Sequence, residues 1–426
     1  MEDEDLGDKI LGLARFGPRI ALGIDEGMAD RLARRGLATQ LDGAPVHLGA
    51  GRGVGESRED AIPIVLPRRT LVCSHCCGGH VSLPPYTAER RDHDTSSDDF
   101  GSDGAERLNM RAVRNTERGI EVVQVDEPAP DGPGDDGAVV RVRSAGICGS
   151  DLHLLSFGPM PVTLGHEFAG VLDDGTPVAV DPNVPCGECD QCLGGSAHRC
   201  RTGAQRVRGV GSDGGMADAV FTRTSSLVPL PDGLRLEDAC LVEPLGVAVH
   251  GVRLAGLTGG ERVAVVGAGS IGLAAVAASR RLAGDLDIVA RHGAQRAAGE
   301  RLGAGSPSGE YDVVLECAGT ESALATAVEL CRPGGLVLFL STPWVPISMP
   351  GFAAAMHELG FRWSYTYGHH EHGSDLGDAA ALLAGDPAIA ETLVTHRFPL
   401  DDAAEAFRVA ADRASGAIKV ILEPSA

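Results

Sequence analysis

The stretch between Cys148 and Glu167 holds the residue types that metal chemistry requires, with a thiol, two imidazoles and two carboxylates in twenty residues. Cys148 and His166 are both good zinc ligands, and the glycines beside them allow the backbone to bend both side chains towards one ion. Three polar residues between them are close enough to form hydrogen bonds around such a metal: Ser150, Asp151 and His153. Taken alone, the stretch is equally compatible with a buried cysteine and a core histidine.

A third ligand is needed, because a catalytic zinc usually has three protein ligands and keeps a fourth position open for water or substrate. The candidate outside the stretch is Glu243, which precedes Pro244 at the start of an apolar helical run. A carboxylate at this position is also typical of a helix N-terminus, where it faces the positive end of the helix dipole. The residues alone leave both interpretations of Glu243 open.

A second candidate metal site lies in the segment CGECDQCLGGSAHRC. Its four cysteines follow a C-x2-C-x2-C-x7-C spacing: Cys186, Cys189, Cys192 and Cys200. Four thiolates this close in sequence can form a closed tetrahedral zinc site, which is structural rather than catalytic. An iron–sulfur cluster and four unbound thiols are the alternatives. His198 is predicted to lie outside the ligand set, because four thiolates already complete it.

A dinucleotide loop is predicted after the apolar strand that begins at Arg262, where G-x-G-x-x-G leads into a helical run ending near Leu282. The residues of this loop are Gly267, Gly269, Ser270, Ile271 and Gly272. Glycines in this setting allow the backbone to approach a pyrophosphate at the N-terminus of a helix. The strand before the loop and the helix after it make the motif specific for NAD or NADP.

The end of the next strand favours NADP over NAD. NAD enzymes usually place an Asp or Glu there to bind the ribose hydroxyl, whereas this chain reads Ala290-Arg291-His292. The guanidinium of Arg291 can bind a 2′-phosphate through two parallel hydrogen bonds. Alternatively, Arg291 is an ordinary solvent-exposed side chain.

The surrounding pattern predicts one domain of short strands and one of alternating strands and helices. Short strands separated by glycine and proline turns indicate a small, partly open β-barrel: 119–125, 138–143, 168–172, 177–180 and 217–222. Two later strands, at 311–316 and 335–340, flank a predicted helix at 321–330. This alternation indicates a parallel α/β sheet. A helix at 401–414 and a strand at 417–422 are expected to pack back onto one of the two domains.

Composition narrows the function classes. The 426 residues include 43% apolar residues, enough for a substantial core in two or three domains, and carry a net charge of −22. That charge argues against a nucleic-acid partner, which requires a basic surface. The acidic start lacks the features of a secretory signal, and no apolar stretch is long enough to span a bilayer. A cytoplasmic protein is therefore expected, with its eleven cysteines as metal ligands or free thiols.

Residues 1–109 show no sustained periodicity apart from a possible helix near 25–37 and a proline-interrupted strand near 62–72, and residues 92–103 resemble a solvated linker. A cluster between residues 73 and 80 has the types for a zinc site but no second ligand pair at finger spacing: Cys73, His75, Cys76, Cys77 and His80. We interpret this extension as disordered or non-native. The hypothesis is that the functional chain begins at or near Met110, and an intact mass from the native host would test it.

Near the C-terminal side, three histidines lie on a glycine-flanked segment: His369, His370 and His372. We interpret them as a surface feature rather than as a third metal site.

From Met110 onwards the motifs and their order resemble the zinc-dependent medium-chain alcohol dehydrogenase family, whereas residues 1–109 share nothing with it. The resemblance rests on Cys-Gly-Ser-Asp-x-His, Gly-His-Glu, the four-cysteine segment, Glu-Pro-Leu, the dinucleotide loop and a closing Phe-Pro-Leu-Asp-Asp-Ala-Ala-Glu-Ala-Phe. It implies a GroES-like β-barrel over 110–243 that is completed by 367–426. A Rossmann domain would occupy 244–366.

The resemblance also implies roles for single residues. Cys148 and His166 would bind the catalytic zinc. Glu243 stands where polyol, threonine and sugar dehydrogenases have a Glu, and Glu167 is a direct ligand in some members and a neighbour of the metal in others. Asp151 would orient the zinc-bound histidine. Ser150 and His153 would form the proton relay. Zinc would lower the pKa of the substrate alcohol, whose carbon would give a hydride to the nicotinamide.

The implied enzyme oxidises a polyol, sugar-like or amino alcohol, binds two zinc ions per subunit and forms a homodimer or homotetramer. A zinc-free quinone or enoyl reductase, or an inactive dinucleotide-binding relative, are the alternatives. Two departures from the family pattern affect the expected pockets. The loop between Cys148 and His166 is shorter than usual, and the region after the second Rossmann strand is compact.

Overall fold

The computed structural model describes residues 109–129, 136–412 and 414–424. The predicted elements and the Cys/His cluster of residues 1–108 lie outside these ranges, and so does most of the polar turn after residue 129. The predicted start at Met110 is therefore a matter for experiment.

An antiparallel sheet forms the metal-bearing domain, with strand order β15-β16-β3-β4-β5-β7 and β6 also pairing with β3. Its strands are β3 (Gly137–Ile147), β4 (Glu167–Val171), β5 (Pro177–Val180), β6 (Ala219–Arg223), β7 (Leu227–Pro229), β15 (Val394–Pro399) and β16 (Lys419–Glu423). All pairs are antiparallel except β15 with β16. Valines that alternate along β3 are buried, as the period-two pattern predicts.

A separate hairpin precedes this sheet, formed by β1 (Asn109–Thr116) and β2 (Gly119–Asp126). Gly119 has a φ of +97°, a conformation that side chains with a Cβ rarely adopt, so the tight turn depends on this glycine. The hairpin packs onto the sheet through Val113, which belongs to the same buried cluster as Val140 and Val142.

The cofactor domain is a five-stranded parallel sheet of order β12-β11-β10-β8-β9. Its strands are β8 (Arg262–Val266), β9 (Asp285–Val289), β10 (Tyr311–Glu316), β11 (Cys331–Phe339) and β12 (Gly360–Trp363). Apolar residues run continuously along β8 because helices cover both faces of a parallel sheet. The strand order changes direction beside β8, and ligands bind at such a switch point.

The helices, in chain order, are α1 (Gly149–Leu154), α2 (Asp190–Leu193), α3 (Val242–Ala255), α4 (Ser270–Ser279), α5 (Gly293–Arg301), α6 (Glu321–Leu330), α7 (Gly351–Met356), α8 (Asp375–Ala384), α9 (Pro387–Leu393) and α10 (Ala403–Ala411). A short hairpin, β13 (His369–His370) and β14 (Gly373–Ser374), precedes α8. Among the described residues, no helix is both long and apolar enough to cross a membrane.

The expected C-terminal return from residue 367 begins with two helices. Helix α8 packs on α3 and also contacts β7, and α9 packs on α4 and α5 and also contacts β15. Their apolar residues belong to a buried cluster that contains residues of β4 and β5 as well as of the cofactor sheet. Strands β15 and β16, with α10 between them, then join the sheet of the metal-bearing domain. The predicted helix at 401–414 is shorter. It begins at Ala403, because residues 400–402 form a 3-10 turn, and it ends at Ala411, because Asp412 has an extended backbone.

Candidate active site

The register between β3 and β4 brings the two ends of the CGSD…GHE stretch together. Gly146 pairs with Glu167, so Cys148 after β3 lies beside His166 before β4. A Cβ on Gly146 would lie 2.2 Å from a Glu167 carboxylate oxygen, so a larger residue there would displace the Glu167 carboxylate. The ligand atoms of Cys148, His166 and Glu167 all lie within 4.8 Å of one another.

Close glycine packing holds the backbone next to His166. Gly165 has a φ of +94°, and a Cβ on Gly214 would lie 2.1 Å from the Gly165 carbonyl oxygen. Side chains are thus excluded on both sides of this turn, which fixes the direction in which His166 leaves the backbone.

Asp151 and Ser150 occupy the two sides of the His166 ring. A carboxylate oxygen of Asp151 accepts the Cys148 N–H at 2.9 Å, and its other oxygen lies 3.3 Å from His166 Nδ1. Ser150 Oγ lies 3.2 Å from His166 Nε2. Asp151 therefore faces one ring nitrogen and leaves Nε2 for a metal, as a carboxylate–histidine–metal arrangement requires.

The donor set fits zinc. Thiolate, imidazole and carboxylate are the three ligand types of zinc sites, and His166 and Glu167 are buried here. Burial lowers the pKa of His166, but the charges of Asp151 and Cys148 outweigh it and raise that pKa well above 6.5. His166 Nδ1 and the Asp151 oxygen beside it have no aligned hydrogen-bond partner, so the pair is held by charge.

Glu167 is also part of a buried ion pair. Lys419 Nζ lies 2.7 and 2.6 Å from its two carboxylate oxygens and donates to the Ile147 carbonyl at 3.1 Å. Both charged side chains are about 1% exposed, so the partner's charge, and not water, compensates each of them. The sequence reasoning missed Lys419, because 252 residues separate it from Glu167.

Glu243 lies in the first turn of α3, as predicted, and is buried. The charges of His166 and Glu167 act on the Glu243 carboxylate. Glu243 is not among the residues whose ligand atoms lie within 4.8 Å of one another. Burial raises the pKa of Glu243 to about 7, and Tyr367 donates a hydrogen bond to its carboxylate. Tyr365 is near enough to interact with both Glu243 and His166. Neither tyrosine was predicted, because the run Tyr-Thr-Tyr after β12 lies in a polar segment that has no motif.

His153 lies on the same short helix as Ser150 and is exposed. Its exposed imidazole stacks on Trp344 with ring centroids 5.2 Å apart and an interplanar angle of 17°. Trp344 follows β11 of the cofactor domain, so the stack joins the two domains.

The four cysteines of the second site come together around α2. All four sulfurs lie within 4.8 Å of one another, with Cys189–Cys192 at 3.5 Å and Cys186–Cys192 at 3.9 Å. Tetrahedral zinc with bonds of about 2.3 Å separates its sulfurs by about 3.8 Å, so the donor set fits a structural zinc. His198 lies outside the set and meets His250 edge-on at 5.1 Å.

His250 is bound in turn by a buried carboxylate, that of Asp375. Asp375 binds His250 Nδ1 at 2.8 Å, Arg253 through two bonds of 2.8 Å, and the Gly368 N–H at 2.7 Å. Gly368 follows Tyr367, so Asp375 fixes the segment that presents Tyr367 to Glu243. The network connects α3, α8 and the four-cysteine lobe.

The glycine loop lies at the switch point of the cofactor sheet. Gly267 has a φ of +104°, and a Cβ on Gly272 would lie 1.8 Å from the Gly267 carbonyl oxygen. A Cβ on Gly269, by contrast, would meet nothing within 4 Å, so its backbone borders open space. Ser270 Oγ, in the first turn of α4, is buried without a hydrogen-bond partner. This cradle fits a dinucleotide phosphate, and Ile271 follows within the same turn.

A cleft of about 480 Å³ continues from this loop to Arg291. Arg291 is exposed and donates to Ser322 Oγ at 2.6 Å. The two acids of β9 lie before its C-terminal end and are both engaged: Asp285 pairs with Arg262, and the buried Asp287 accepts from the Tyr311 hydroxyl at 2.7 Å. The C-terminal end of β9 therefore leads to a cation and not to a carboxylate.

The His369–His372 segment forms the β13–β14 hairpin, in which His370 Nε2 lies 3.0 Å from Asp378. Within the described part of the chain, the groups of three or more residues that can hold a metal are the two above, and the hairpin is in neither.

Comparison with known proteins supports this architecture. Family models match twice, as "Alcohol dehydrogenase GroES-like domain" over residues 134–232 and as "Zinc-binding dehydrogenase" over residues 286–418. L-arabinitol 4-dehydrogenase from Aureobasidium melanogenum is 31% identical over 371 aligned residues, covering 73% of this chain and 92% of that protein.

Solved structures agree. A protein described as a zinc-binding dehydrogenase from Sinorhizobium meliloti 1021, with NADP bound, superposes with a TM-score of 0.66 at 31% identity, covering 74% of this chain and all of the other. Galactitol-1-phosphate dehydrogenase from Escherichia coli gives 0.65 at 27% identity, with the same coverage. The chain therefore belongs to the zinc-dependent medium-chain alcohol dehydrogenase family and is an NAD(P)-linked oxidoreductase of alcohols.

Proposed function

We propose that this enzyme interconverts a polyol or sugar-like alcohol and its carbonyl form, with NADP preferred over NAD. The observation that carries the proposal is the carboxylate-rich metal cluster, in which Glu167 lies with Cys148 and His166 while Glu243 and two tyrosines surround it. Several fixed donors and acceptors around one reacting carbon suit a substrate with several hydroxyl groups.

Cys148, His166 and Glu167 would hold the catalytic zinc, with Glu243 as the alternative third ligand. Zinc, when bound, supplies a Lewis acid that lowers the pKa of an alcohol oxygen. Asp151 keeps the His166 ring in the orientation that leaves Nε2 for the metal. Glu243, held by Tyr367, is placed to accept a hydrogen bond from a substrate hydroxyl next to the reacting one.

Proton release begins at Ser150, whose hydroxyl lies 3.2 Å from His166 Nε2 and so borders the position of the reacting alcohol. His153, one helical turn further along α1 and exposed, passes the proton to solvent. The nicotinamide, when bound, supplies the hydride acceptor. The residues that would hold its dinucleotide are Gly267, Gly269, Ser270, Ile271 and Gly272.

The NADP preference rests on Arg291, and the exposed His292 beside it also borders the cleft. With no carboxylate free at the end of β9, a ribose hydroxyl loses its usual acceptor, whereas a 2′-phosphate gains a cation. Replacing Arg291 with Ala should raise KM for NADP by at least about tenfold, as one charge-assisted hydrogen bond of 1.5–3 kcal/mol implies, and change KM for NAD little. Equal changes for both cofactors would remove the assignment.

The substrate class is tested by a hydride-transfer screen. Zinc-loaded protein is assayed with NADP and NAD separately against polyols, sugars, amino alcohols and simple alcohols. We expect polyols to be turned over with the highest kcat/KM, because the named relatives act on arabinitol and galactitol phosphate. Preference for ethanol-like alcohols would contradict the substrate class, and full turnover after zinc removal would contradict the mechanism.

The four-cysteine lobe is proposed to hold a second, structural zinc, which metal analysis at two ions per chain would support. Its free thiols favour a reducing compartment such as the cytoplasm.

The edge of the cofactor sheet favours a homodimer. Among the described strands, β12 pairs only with β11, and residues 343–356 beside it contain no charged residue. Phe352, at 83% exposed, and Trp363 present apolar surface there. A second copy would cover this patch and extend the sheet. Light scattering should report a dimer that Phe352→Asp converts to monomer; a monomeric parent protein would contradict this.

A further inference from the structure

Trp344 makes an aromatic contact between the two domains that neither domain's core requires. Its indole stacks on His153 at 5.2 Å and 17°, and Phe157 approaches the same indole at 6.3 Å and 46°. His153 and Phe157 lie on and just after α1, which begins next to Cys148. Trp344 lies on the segment after β11.

This contact lies at the edge of the sheet that binds the cofactor. Strands β8, β10 and β11 are parallel, so Gly267, Cys317 and the segment entering Trp344 share one edge. One side of the stack therefore reaches the cofactor domain and the other belongs to the metal-bearing domain.

The segment that carries Trp344 is irregular and is held on either side of this residue, at Ser341 by Glu316 and at Ser348 by Glu321. Residues 340–350 form no helix or strand, and Val345 and Met349 are 67% and 43% exposed. Trp344 itself is only 38% exposed, since His153 and Phe157 cover part of it. The ring of an exposed histidine samples several rotamers unless it is packed, and a parallel indole face restricts it to one.

We propose that Trp344 is a positioning residue for the proton relay, holding the His153 imidazole in one orientation so that proton release depends on the contact between the two domains. The inference rests on the proposed function, in which His153 carries the proton. It assigns a kinetic role to a residue that the motifs of the family do not include.

Kinetic measurements can distinguish a positioning role of Trp344 from a packing role. Trp344→Ala should lower kcat for alcohol oxidation by about tenfold, less than the 10²–10⁴ that a whole proton-transfer group contributes, because His153 is still present, and should shift the pH profile of kcat. KM for the cofactor should change less than about threefold, and Trp344→Phe should restore most of kcat because it keeps a stacking face. Phe157→Ala is the matched control: it removes the other aromatic contact of Trp344 and should leave the pH profile unchanged.

A double-mutant cycle gives the deciding result. In a His153→Gln background, Trp344→Ala should have no further effect on kcat, because the group it positions is gone. Additive losses, or an equal effect of Phe157→Ala, would overturn the positioning role alone. Full activity of His153→Gln would instead overturn the relay assignment and this inference with it.

Fluorescence tests the stack without turnover. The chain has two tryptophans, so Trp363→Phe leaves Trp344 as the single reporter. An imidazole stacked on an indole shields it from solvent, so His153→Gln should shift the emission of Trp344 to longer wavelength and make it more accessible to a dissolved quencher. Emission and quenching unaffected by His153→Gln would show that the two rings do not stack in solution.

Discussion

The two candidate metal sites are built by the chain in opposite ways. The four-cysteine lobe takes four identical ligands from fifteen consecutive residues and lies at the surface around the short helix α2. The candidate catalytic cluster takes three different ligand types from two strand ends, and a cation from a strand 252 residues later completes it. A local site depends on spacing, whereas a dispersed site depends on the register of a whole sheet.

The difference also appears in charge. In the lobe, four thiolates lie close together near solvent, so a bound metal ion would itself balance their charge. In the buried cluster, Asp151 faces His166 and Lys419 faces Glu167, so fixed protein charges share the balance. Removing a metal should therefore unfold the lobe locally but leave the barrel around the buried cluster intact.

The largest effect should come from Cys148→Ser. Losing this thiolate removes the catalytic metal, and since a Lewis acid supplies several kcal/mol of transition-state stabilisation, kcat/KM should fall by about 10³ or more. Metal analysis should still find the lobe metal, and cofactor binding by fluorescence should persist. Retained turnover would show that Cys148 is not a ligand.

Lys419→Met tests whether the buried cluster depends on its distant cation. It leaves Glu167 charged and uncompensated, which should cost about 3–5 kcal/mol of unfolding free energy by urea denaturation. The matched double variant, Lys419→Met with Glu167→Gln, removes both charges and should recover most of that loss. A single variant as stable as the parent would place Glu167 in contact with a metal strong enough to replace the lysine.

Cys189→Ser should affect only the lobe. If its metal contributes about 2 kcal/mol, Tm should fall by about 4–8 °C, while the catalytic metal and the activity per folded molecule stay. An unchanged Tm together with an unchanged zinc count would remove the structural role. The contrast with Cys148→Ser is the control, since that variant should lose activity with little change in Tm.

Asp375→Asn tests the connection between the two regions and has the smallest expected effect. Burial alone would raise the pKa of Asp375, but hydrogen bonds from His250, Arg253 and the Gly368 amide lower it below 3.8. The carboxylate therefore adds stability above pH 4, which is lost as pH falls through the folded-state pKa. The variant should be about 2 kcal/mol less stable at pH 7, and the difference should shrink between pH 4 and 3. A difference independent of pH would assign the loss to packing.

The sequence could predict what is local. Spacing alone reveals the four cysteines in fifteen residues, the glycine loop after an apolar strand and the Cys148–His166 pair. Lys419 could not be found this way, because a single lysine on a strand has no signal until β16 pairs with β3. Tyr367 was missed for the same reason, since its bond to Glu243 spans the cofactor and metal-bearing regions.

The segment after residue 366 shows a different limit. Only the resemblance to the family implied that this segment returns to the barrel. A capping signal was nevertheless present: Ser374 Oγ accepts the Gly377 N–H and starts α8, whose apolar face then packs on α3. Local chemistry indicated a helix, but only tertiary packing decided which domain it joins.

The span between Glu167 and Lys419 sets an order for biosynthesis. At about 5–20 residues per second, the ribosome needs roughly 10–50 s to make the 252 residues between them. During that interval the strands around Cys148 and His166 exist, but Glu167 has no cation, so its carboxylate must stay in water and the barrel must stay open. The nascent chain therefore offers chaperones an unfinished sheet for most of its synthesis, and the metal site can close only when β16 arrives.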